Sequence, residues 1–397
     1  MPKKNNINKI NNIHLNRKTL NKLVQDLNNN NKISGINHNL YKYPACFSPL
    51  IIDNILRIFT KKNSLILDPF CGGGTTGLAS LFSNRRVILN DLNEFAVFVS
   101  KIKTTKYTLT SINEFEKWFA DIYPKKIQFK NKPFKNFDKN FNRKENWHLR
   151  NFIFDYYNKL KYLKNKKSKE LATILLLRVV KRAIDTRSRS PKITHVKNIT
   201  IKYYRELLSN IKEFNHLYNK QGFKKVQITN YDVRDLKNKH FFKKIKKIDA
   251  VITSPPYPGV HIRYDRMQLN GTKVTDIHYL LSQTKMQTGI SSYTFSNRLS
   301  VLDTRYFNMI RESFESLYQI VSRETLIIQL VGFKKKDMLQ KYLLTMELAG
   351  FKEVSLVVNR KKIDRLWRKV SNRTFHATLK GEIDSASEVL LIHRKEI

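Results

Sequence analysis

The chain of 397 residues has little cysteine and little acidic charge, and it has no long apolar segment. Its two cysteines, Cys46 and Cys71, are too few for a disulfide framework or a four-ligand zinc site. We therefore expect no structural metal and a reducing environment, the cytoplasm. No stretch approaches the roughly 20 apolar residues of a membrane-spanning helix. The first residues are polar throughout, so we also expect no secretory signal.

Acidic residues are scarce relative to basic ones. Lys and Arg total 75 and Asp and Glu total 32, which gives a formal net charge of +43 at pH 7. Part of this excess reflects a general richness in lysine and asparagine. A surface this positive nevertheless attracts polyanions, and it indicates nucleic acid as the partner. Charge alone does not choose between DNA and RNA.

Composition and periodicity divide the chain into four segments. Residues 1–38 are rich in Asn and Lys and poor in aromatic residues, so we expect a basic, loosely ordered arm. Residues 39–110 and 225–397 alternate short apolar runs with helix-like spacing, which predicts an α/β fold with a parallel sheet and crossover helices. Residues 111–224 lack this alternation. They predict a mostly helical insertion, which is a candidate for target recognition.

The stretch LDPFCGGGTTG, residues 67–77, follows a predicted strand and opens a predicted helix. Gly72 and Gly74 let the backbone pass close to a ligand, and the N-terminus of the following helix offers free N–H groups. No Gly-Lys-Ser/Thr sequence is present, so this is not a P-loop for phosphates. Asp68, at the end of the strand, is placed to pair with a cationic group of a ligand. A plain strand-to-helix turn is the alternative.

Two further acids follow predicted strands. Asp91 ends the next strand, about 20 residues after the glycine-rich turn, where such folds place the carboxylate that binds ribose hydroxyls. Asp232 closes a later strand, where its carboxylate could accept from the exocyclic amine of adenine; a surface turn is the alternative. The pattern fits a nucleoside ligand without a pyrophosphate, such as S-adenosylmethionine. A dinucleotide fits less well because the spacing is not Gly-x-Gly-x-x-Gly.

The stretch VITSPPYPGV, residues 251–260, ends a predicted buried strand with two adjacent prolines. Proline donates no backbone hydrogen bond, so the chain leaves the sheet here as a rigid loop. The exocyclic amino group of a base is a poor nucleophile because its lone pair is delocalised into the ring. Two acceptors, the hydroxyl of Ser254 and the carbonyl of Pro255, would favour a more tetrahedral nitrogen, and Tyr257 could stack on the base. A rigid corner without a catalytic role is the alternative.

Taken together, DPFCGGGTT and TSPPY resemble the amino-group DNA methyltransferases of restriction–modification systems. The resemblance covers roughly residues 40–105 and 225–397, and YPACF, residues 43–47, is similar to the N-terminal cofactor motif of that family. It implies a Rossmann-like methyltransferase sheet, S-adenosylmethionine as cofactor, and a base flipped out of double-stranded DNA. The residues expected to bind the cofactor are Phe47, Asp68, Pro69, Phe70, Gly72, Gly74, Thr75, Asp91 and Asp232. The residues expected to be catalytic are Ser254, Pro255, Pro256 and Tyr257.

The first residue of the Pro-Pro motif, Ser254, bears on the choice of base. In the family that the motifs resemble, serine there goes more often with cytosine N4, whereas Asp or Asn goes more often with adenine N6. The resemblance therefore favours cytosine N4, and it suggests a cognate restriction endonuclease as a partner. Three alternatives stay open: methylation of adenine N6, methylation of RNA, and a catalytically dead DNA-binding subunit. The intact motifs argue against the last of these.

Overall fold

The computed structural model describes residues 12–29, 35–43, 48–123, 143–184, 190–258, 267–269, 272–274, 277–285, 295, 304–333, 336–369 and 387–396. The α-helices are α1 (Arg17–Leu27), α2 (Pro49–Phe59), α3 (Thr75–Phe82), α4 (Glu94–Thr104), α5 (Leu109–Ile122), α6 (Trp147–Lys159), α7 (Lys166–Ile184), α8 (Ile193–Gln221), α9 (His240–Lys243), α10 (Ile277–Ser282), α11 (Thr304–Ile320) and α12 (Lys336–Leu348). The β-strands are β1 (Asn12–His14), β2 (Leu65–Asp68), β3 (Arg86–Asn90), β4 (Gln227–Thr229), β5 (Ala250–Thr253), β6 (Met267–Leu269), β7 (Thr272–Val274), β8 (Leu326–Gly332), β9 (Phe351–Glu353), β10 (Ser355–Val358), β11 (Lys361–Lys362), β12 (Leu366–Lys369) and β13 (Ser387–Lys395). Within these ranges no helix is both long enough and apolar enough to cross a membrane.

An eight-stranded sheet forms the centre of the fold, in the order β12-β13-β8-β5-β2-β3-β4, with β9 paired to β13 beside this path. The strands from β8 to β4 are parallel, whereas β13 runs antiparallel to its neighbours. Chain order reverses between β2 and β5, because β3 and β4 extend the sheet on one side and β5 and β8 on the other. Such sheets bind ligands at this point, outside the carboxyl ends of the strands. The predicted α/β fold with a mostly parallel sheet is confirmed.

The central strands are apolar on both faces, so the sheet is covered on both sides. Successive residues of a strand point to opposite faces. The apolar side chains of β2, β5 and β8 divide between two buried clusters, with Ile66, Ile252 and Ile328 in one and Leu67, Val251 and Ile327 in the other. A slip of one residue in any strand would turn its side chains to the wrong cluster. Apolar packing therefore fixes the level at which β2 and β5 end.

Helices α5 to α8 occupy the stretch for which the sequence predicts a helical insertion. Their buried side chains, such as Phe115 and Leu175, belong to a cluster that also contains Phe95 and Val99 of α4. Helices α5 to α8 therefore share a core with α4, the helix that follows β3. Their role in target recognition, like the division of the chain into four segments, stays a prediction.

The prediction of a loosely ordered arm over residues 1–38 is wrong for residues 12–29. Strand β1 pairs in parallel with β10, and helix α1 packs against α2. Leu23 and Leu27, four residues apart on α1, are buried in the same cluster as one face of the sheet. Two leucines on one side of a short amphipathic helix are enough to anchor it, although the segment as a whole is polar.

The close approach of α3 to α4 is testable at Gly74. Gly74 has a φ of 75°, and a Cβ there would lie 2.9 Å from the Cα of Ser100. We expect Gly74→Ala to lower the free energy of unfolding by about 2–5 kcal/mol, since it combines a left-handed backbone with a clash. Gly222→Ala is the matched control, because Gly222 has a φ of 62° and open space around it. Its loss should be only about 1–2 kcal/mol, and equal losses in urea unfolding would contradict the tight packing.

Candidate functional site

Two loops singled out by the sequence leave adjacent strands at the carboxyl edge of the sheet. Asp68 is the last residue of β2, and Thr253 is the last residue of β5. The hydroxyl of Thr253 donates to Oδ1 of Asp68 at 2.7 Å. This contact joins the glycine-rich turn after β2 to the Pro-Pro loop after β5, at the point where chain order reverses.

Asp68 lies in the crevice between these loops. It is 1% exposed, and its Oδ1 also accepts from the N–H of Phe70 at 3.2 Å. Burial raises the pKa of Asp68 from 3.8 to about 6, although its hydrogen bonds act in the opposite direction. A cation nearby would favour the ionised carboxylate. Asp68 is therefore suited to pair with a cationic group of a ligand.

The glycine-rich turn is held from two sides. Ser100 of α4 donates its hydroxyl to the carbonyl of Gly72 at 2.8 Å, and the N–H of Gly72 donates to Oδ2 of Asp91 at 2.8 Å. Gly72 and Gly74 have φ values of 49° and 75°, and Thr75 begins α3 directly afterwards. The turn thus brings bare backbone next to the first N–H groups of α3, which have no partners within the helix.

Asp91 has a structural task at this turn besides the predicted ribose contact. Its Oδ1 accepts from the N–H of Asn93 at 2.9 Å, while its Oδ2 accepts from Gly72. Burial raises the pKa of Asp91 to about 6, and these hydrogen bonds offset part of the effect. An ionised carboxylate can accept about four hydrogen bonds, so acceptor capacity is left for a ligand. The ribose contact itself stays a prediction.

Asp232 follows β4 at the same edge, but its carboxylate already has a partner. It forms an ion pair with Arg234 at 2.6 Å and accepts from the N–H of the same residue at 2.9 Å. Burial would raise the pKa of Asp232, yet the hydrogen bonds and charge of Arg234 lower it. The predicted contact with an adenine amine would compete with Arg234 and stays a prediction. Asn90 ties this loop to the glycine-rich turn, donating to the carbonyls of Tyr231 and Pro69 at 3.0 and 3.2 Å.

Three hydroxyl groups hold the Pro-Pro loop. Tyr306 of α11 donates to the carbonyl of Pro256 at 2.7 Å. Ser254 Oγ donates to Tyr257 Oη at 3.0 Å, and Tyr257 Oη donates to Oε1 of Glu388 at 3.0 Å. The loop is therefore anchored to a helix on one side and to β13 on the other.

The residues of this loop differ in how far they are exposed to solvent. Tyr257 is 8% exposed and belongs to one of the buried clusters, so little of its ring surface is open to a base. The predicted stacking of Tyr257 stays a prediction. Pro255 is buried, whereas Ser254 is only half-buried. Of the two residues joined by the hydrogen bond between their hydroxyl groups, Ser254 is thus more exposed than Tyr257.

The N-terminal motif YPACF is described only at its first residue. Phe47 lies outside the described residues, whereas Tyr43 is buried. A Cβ built on Gly72 would lie 3.4 Å from Cε1 of Tyr43. The structure thus brings the start of this motif to the glycine-rich turn, where Phe70 is partly buried against the sheet.

Sequence reasoning missed several residues that shape the site: Ser100, Thr253, Tyr306 and Glu388. Glu388 offered a usable signal, because it directly precedes the apolar run VLLI, residues 389–392, of a predicted strand. An acid in a buried strand needs a partner. Ser100 and Tyr306 offered none, since hydroxyl side chains on helices are common at ordinary packing positions.

Residues 2–102 match a family model described as DNA methylase, of the N6 and N4 type. The match supports an amino-group DNA methyltransferase family for this chain. DNA methylases take their methyl group from S-adenosylmethionine, so the predicted cofactor is confirmed at the level of the family. No curated protein matches the chain.

Solved structures show only a distant likeness. The rRNA methyltransferase AviRa from Streptomyces viridochromogenes is 12% identical with a TM-score of 0.34, over 93% of this chain and 92% of that one. A TehB-like SAM-dependent methyltransferase from Corynebacterium glutamicum is 7% identical with a TM-score of 0.31, over 87% of each chain. Scores this low carry no argument about what this chain binds or modifies.

The burial of Asp68 predicts a pH-dependent stability. Because its pKa is raised to about 6, the folded protein binds more protons than the unfolded chain between about pH 4 and pH 6. Stability should fall as pH rises through this window, by about 3 kcal/mol from this group, and then stay level. Asp68→Asn should remove this component of the profile, while Asp121→Asn, at an exposed position, should leave it in place. Urea unfolding at several pH values measures this, and a profile unchanged by Asp68→Asn would contradict it.

Proposed function

We propose that the protein transfers a methyl group from S-adenosylmethionine to the exocyclic amino group of a flipped base in double-stranded DNA, and that the base is cytosine, methylated at N4. The observation that carries this proposal is the contact between Asp68 and Thr253, which joins the glycine-rich turn to the loop of Ser254. The match of residues 2–102 to DNA methylases supports the same class of reaction.

The acids at the edge of β2 and β3 fit this cofactor. The chain has 75 basic residues, yet in the part that the structure describes neither Asp68 nor Asp91 forms an ion pair with a lysine or arginine. A cationic ligand would supply the missing charge beside Asp68, and Asp91 has acceptor capacity for ribose hydroxyls. The positive φ values of Gly72 and Gly74 suit a backbone that lies against the ligand.

S-adenosylmethionine, when bound, supplies an electrophilic methyl group on a sulfonium centre. The chain has to hold the attacking amine. An amine that accepts this methyl group would become positively charged at its nitrogen and would then release a proton to water. The hydroxyl oxygen of Ser254 and the carbonyl of Pro255 would stabilise this charge by accepting from the two N–H bonds. Tyr306, through its hydrogen bond to Pro256, keeps the loop rigid before the base arrives.

Direct attack by the amine fits the site better than a covalent route through Cys71. Cys71 lies in the glycine-rich turn, but it is 6% exposed. Burial raises its pKa well above the ordinary value, and the nearby carboxylates of Asp91 and Asp68 raise it further. A thiol that stays protonated is a weak nucleophile. The reacting groups are therefore the amine and the methyl donor alone.

The choice of substrate rests on charge and on the first residue of the Pro-Pro motif. The amino group of a paired base faces its partner strand, so the base must leave the duplex to react. The net charge of +43 provides attraction for the phosphate backbone. Ser254 favours cytosine over adenine by resemblance to the N4-specific enzymes. The same resemblance suggests a restriction–modification setting with a cognate endonuclease.

DNA from cells that express the protein should contain N4-methylcytosine. Ser254→Ala should reduce its amount by about 10- to 100-fold, because one acceptor for the amine is lost. Mass spectrometry of nucleosides from digested DNA measures both, with cells carrying the empty vector as the control. N6-methyladenine in its place would change the base and keep the mechanism. Absence of both modified nucleosides in wild-type samples would contradict the proposal.

A further inference from the structure

Four polar side chains form a line across the carboxyl edge of the sheet, from the end of β5 to β12. Ser254 Oγ donates to Tyr257 Oη at 3.0 Å, and Tyr257 Oη donates to Oε1 of Glu388 at 3.0 Å. The second oxygen of Glu388, Oε2, accepts from Nη1 of Arg368 at 3.2 Å. These residues, Ser254, Tyr257, Glu388 and Arg368, are named the polar chain. It connects the proposed catalytic loop to a buried ion pair.

The sheet itself builds the far end of the polar chain. Glu388 on β13 lies directly opposite Arg368 on β12 and opposite Gly332, the last residue of β8. Glu388 is 4% exposed, and the side chain of Arg368 is 13% exposed. A buried ion pair of this kind is weak evidence for stability, because the cost of desolvating both charges offsets their attraction. Its position behind the Pro-Pro loop points to another use.

We propose that Glu388 is a positioning residue that fixes the hydroxyl of Ser254 as an acceptor for the amino group of the target base; this rests on the proposed methyl transfer. A carboxylate only accepts hydrogen bonds, so Tyr257 has to donate to Glu388. The oxygen of Tyr257 is then left to accept from Ser254. Once Ser254 has given its single proton to Tyr257, it can offer only lone pairs to an N–H group. Arg368 holds the carboxylate in the orientation that this requires.

Without this fixed direction, the hydroxyl of Ser254 could either donate to the amine or accept from it. A serine hydroxyl both donates and accepts, and its proton turns to suit its surroundings. If that proton pointed at the amine, it would bind the lone pair that has to attack the methyl group. The polar chain excludes this arrangement before the base enters the site, which is preorganisation of the kind that lowers reaction barriers.

Glu388→Gln tests the direction of the polar chain with little change of shape. Arg368 only donates, so the oxygen of the introduced amide should face Arg368 and its NH₂ group should face Tyr257. Tyr257 would then accept from the amide and donate to Ser254, which reverses the chain. The single-turnover rate of methyl transfer should fall about 100-fold. Affinity for S-adenosylmethionine, measured by calorimetry, should stay unchanged.

A double variant separates this role from a structural one. Tyr257→Phe interrupts the polar chain and frees the Ser254 hydroxyl to rotate, so it should slow methyl transfer by only about tenfold, the equivalent of one hydrogen bond. Glu388→Gln should then cause no further loss in the Tyr257→Phe background. The double variant should therefore be faster than Glu388→Gln alone. A purely structural role predicts losses that add.

The assay uses the full-length protein in excess over unmethylated phage DNA with tritiated S-adenosylmethionine, which requires no knowledge of the target sequence. Glu353→Gln is the matched control, since Glu353 on β9 pairs with Arg365 at 2.6 Å and, among the described residues, has no hydrogen bond to the Pro-Pro loop. It should leave the rate unchanged. Glu388→Asp, which keeps the charge beside Arg368 but is one methylene shorter, serves if Glu388→Gln does not fold. It should slow the reaction, and Tyr257→Phe should add no further loss to it.

Each outcome of these experiments decides the proposal. Rescue of Glu388→Gln by Tyr257→Phe, with unchanged cofactor affinity, would support the positioning role. Additive losses, or a loss confined to cofactor affinity, would overturn the role of Glu388 and leave methyl transfer in place. If the wild-type protein transfers no label to DNA, the proposed function fails, and the role of Glu388 fails with it.

Discussion

The parallel pairing of β2 with β5 is the constraint on which the whole site depends. Leu67 lies opposite Val251, so Asp68, the last residue of β2, is level with Ile252, one residue before β5 ends at Thr253. The hydroxyl of Thr253 therefore reaches Asp68, at 2.7 Å. A shift of one residue would turn Asp68 toward the opposite face of the sheet and would bury the wrong apolar side chains. Ordinary apolar packing thus sets the distance between the two loops of the candidate site.

The acids at this edge fall into two kinds, distinguished by their partners. Asp68 and Asp91 are hydrogen-bonded to hydroxyl or backbone groups, and burial raises the pKa of each to about 6. Such shifts reduce stability near neutral pH, and they are typical of positions where a ligand supplies the missing charge. Glu388 instead has Arg368 as a permanent partner and a tyrosine hydroxyl on its other oxygen. The first kind suits binding of a cationic cofactor, and the second suits orientation of a loop.

Sequence reasoning predicted the parts of this site that are local in the chain. Apolar runs that end at glycine or proline predicted both strands and both loops, and Asp68, Gly72 and Ser254 lie at the expected edge. It did not show which strands are neighbours, because strand order depends on pairing between distant segments. Glu388 was missed for that reason, since it lies 131 residues after Tyr257 and meets it only through β13.

The error at the N-terminus has an equally local cause. The N-terminal segment is polar on average, and average composition hides the two leucines that anchor α1 to the core. The two hydrogen bonds of the Tyr257 hydroxyl, from Ser254 and to Glu388, were not predicted, because Glu388 lies far from the motif in the sequence. The stacking of the Tyr257 ring on a base stays a prediction.

The most direct test of the account is transfer of tritiated methyl groups from S-adenosylmethionine by the purified protein to duplex DNA and, in parallel, to RNA of the same sequence. The account predicts label in the duplex DNA, little in the RNA, and loss of the DNA label in Asp68→Ala together with loss of cofactor binding. Label found in RNA alone, or undiminished transfer by Asp68→Ala, would contradict it.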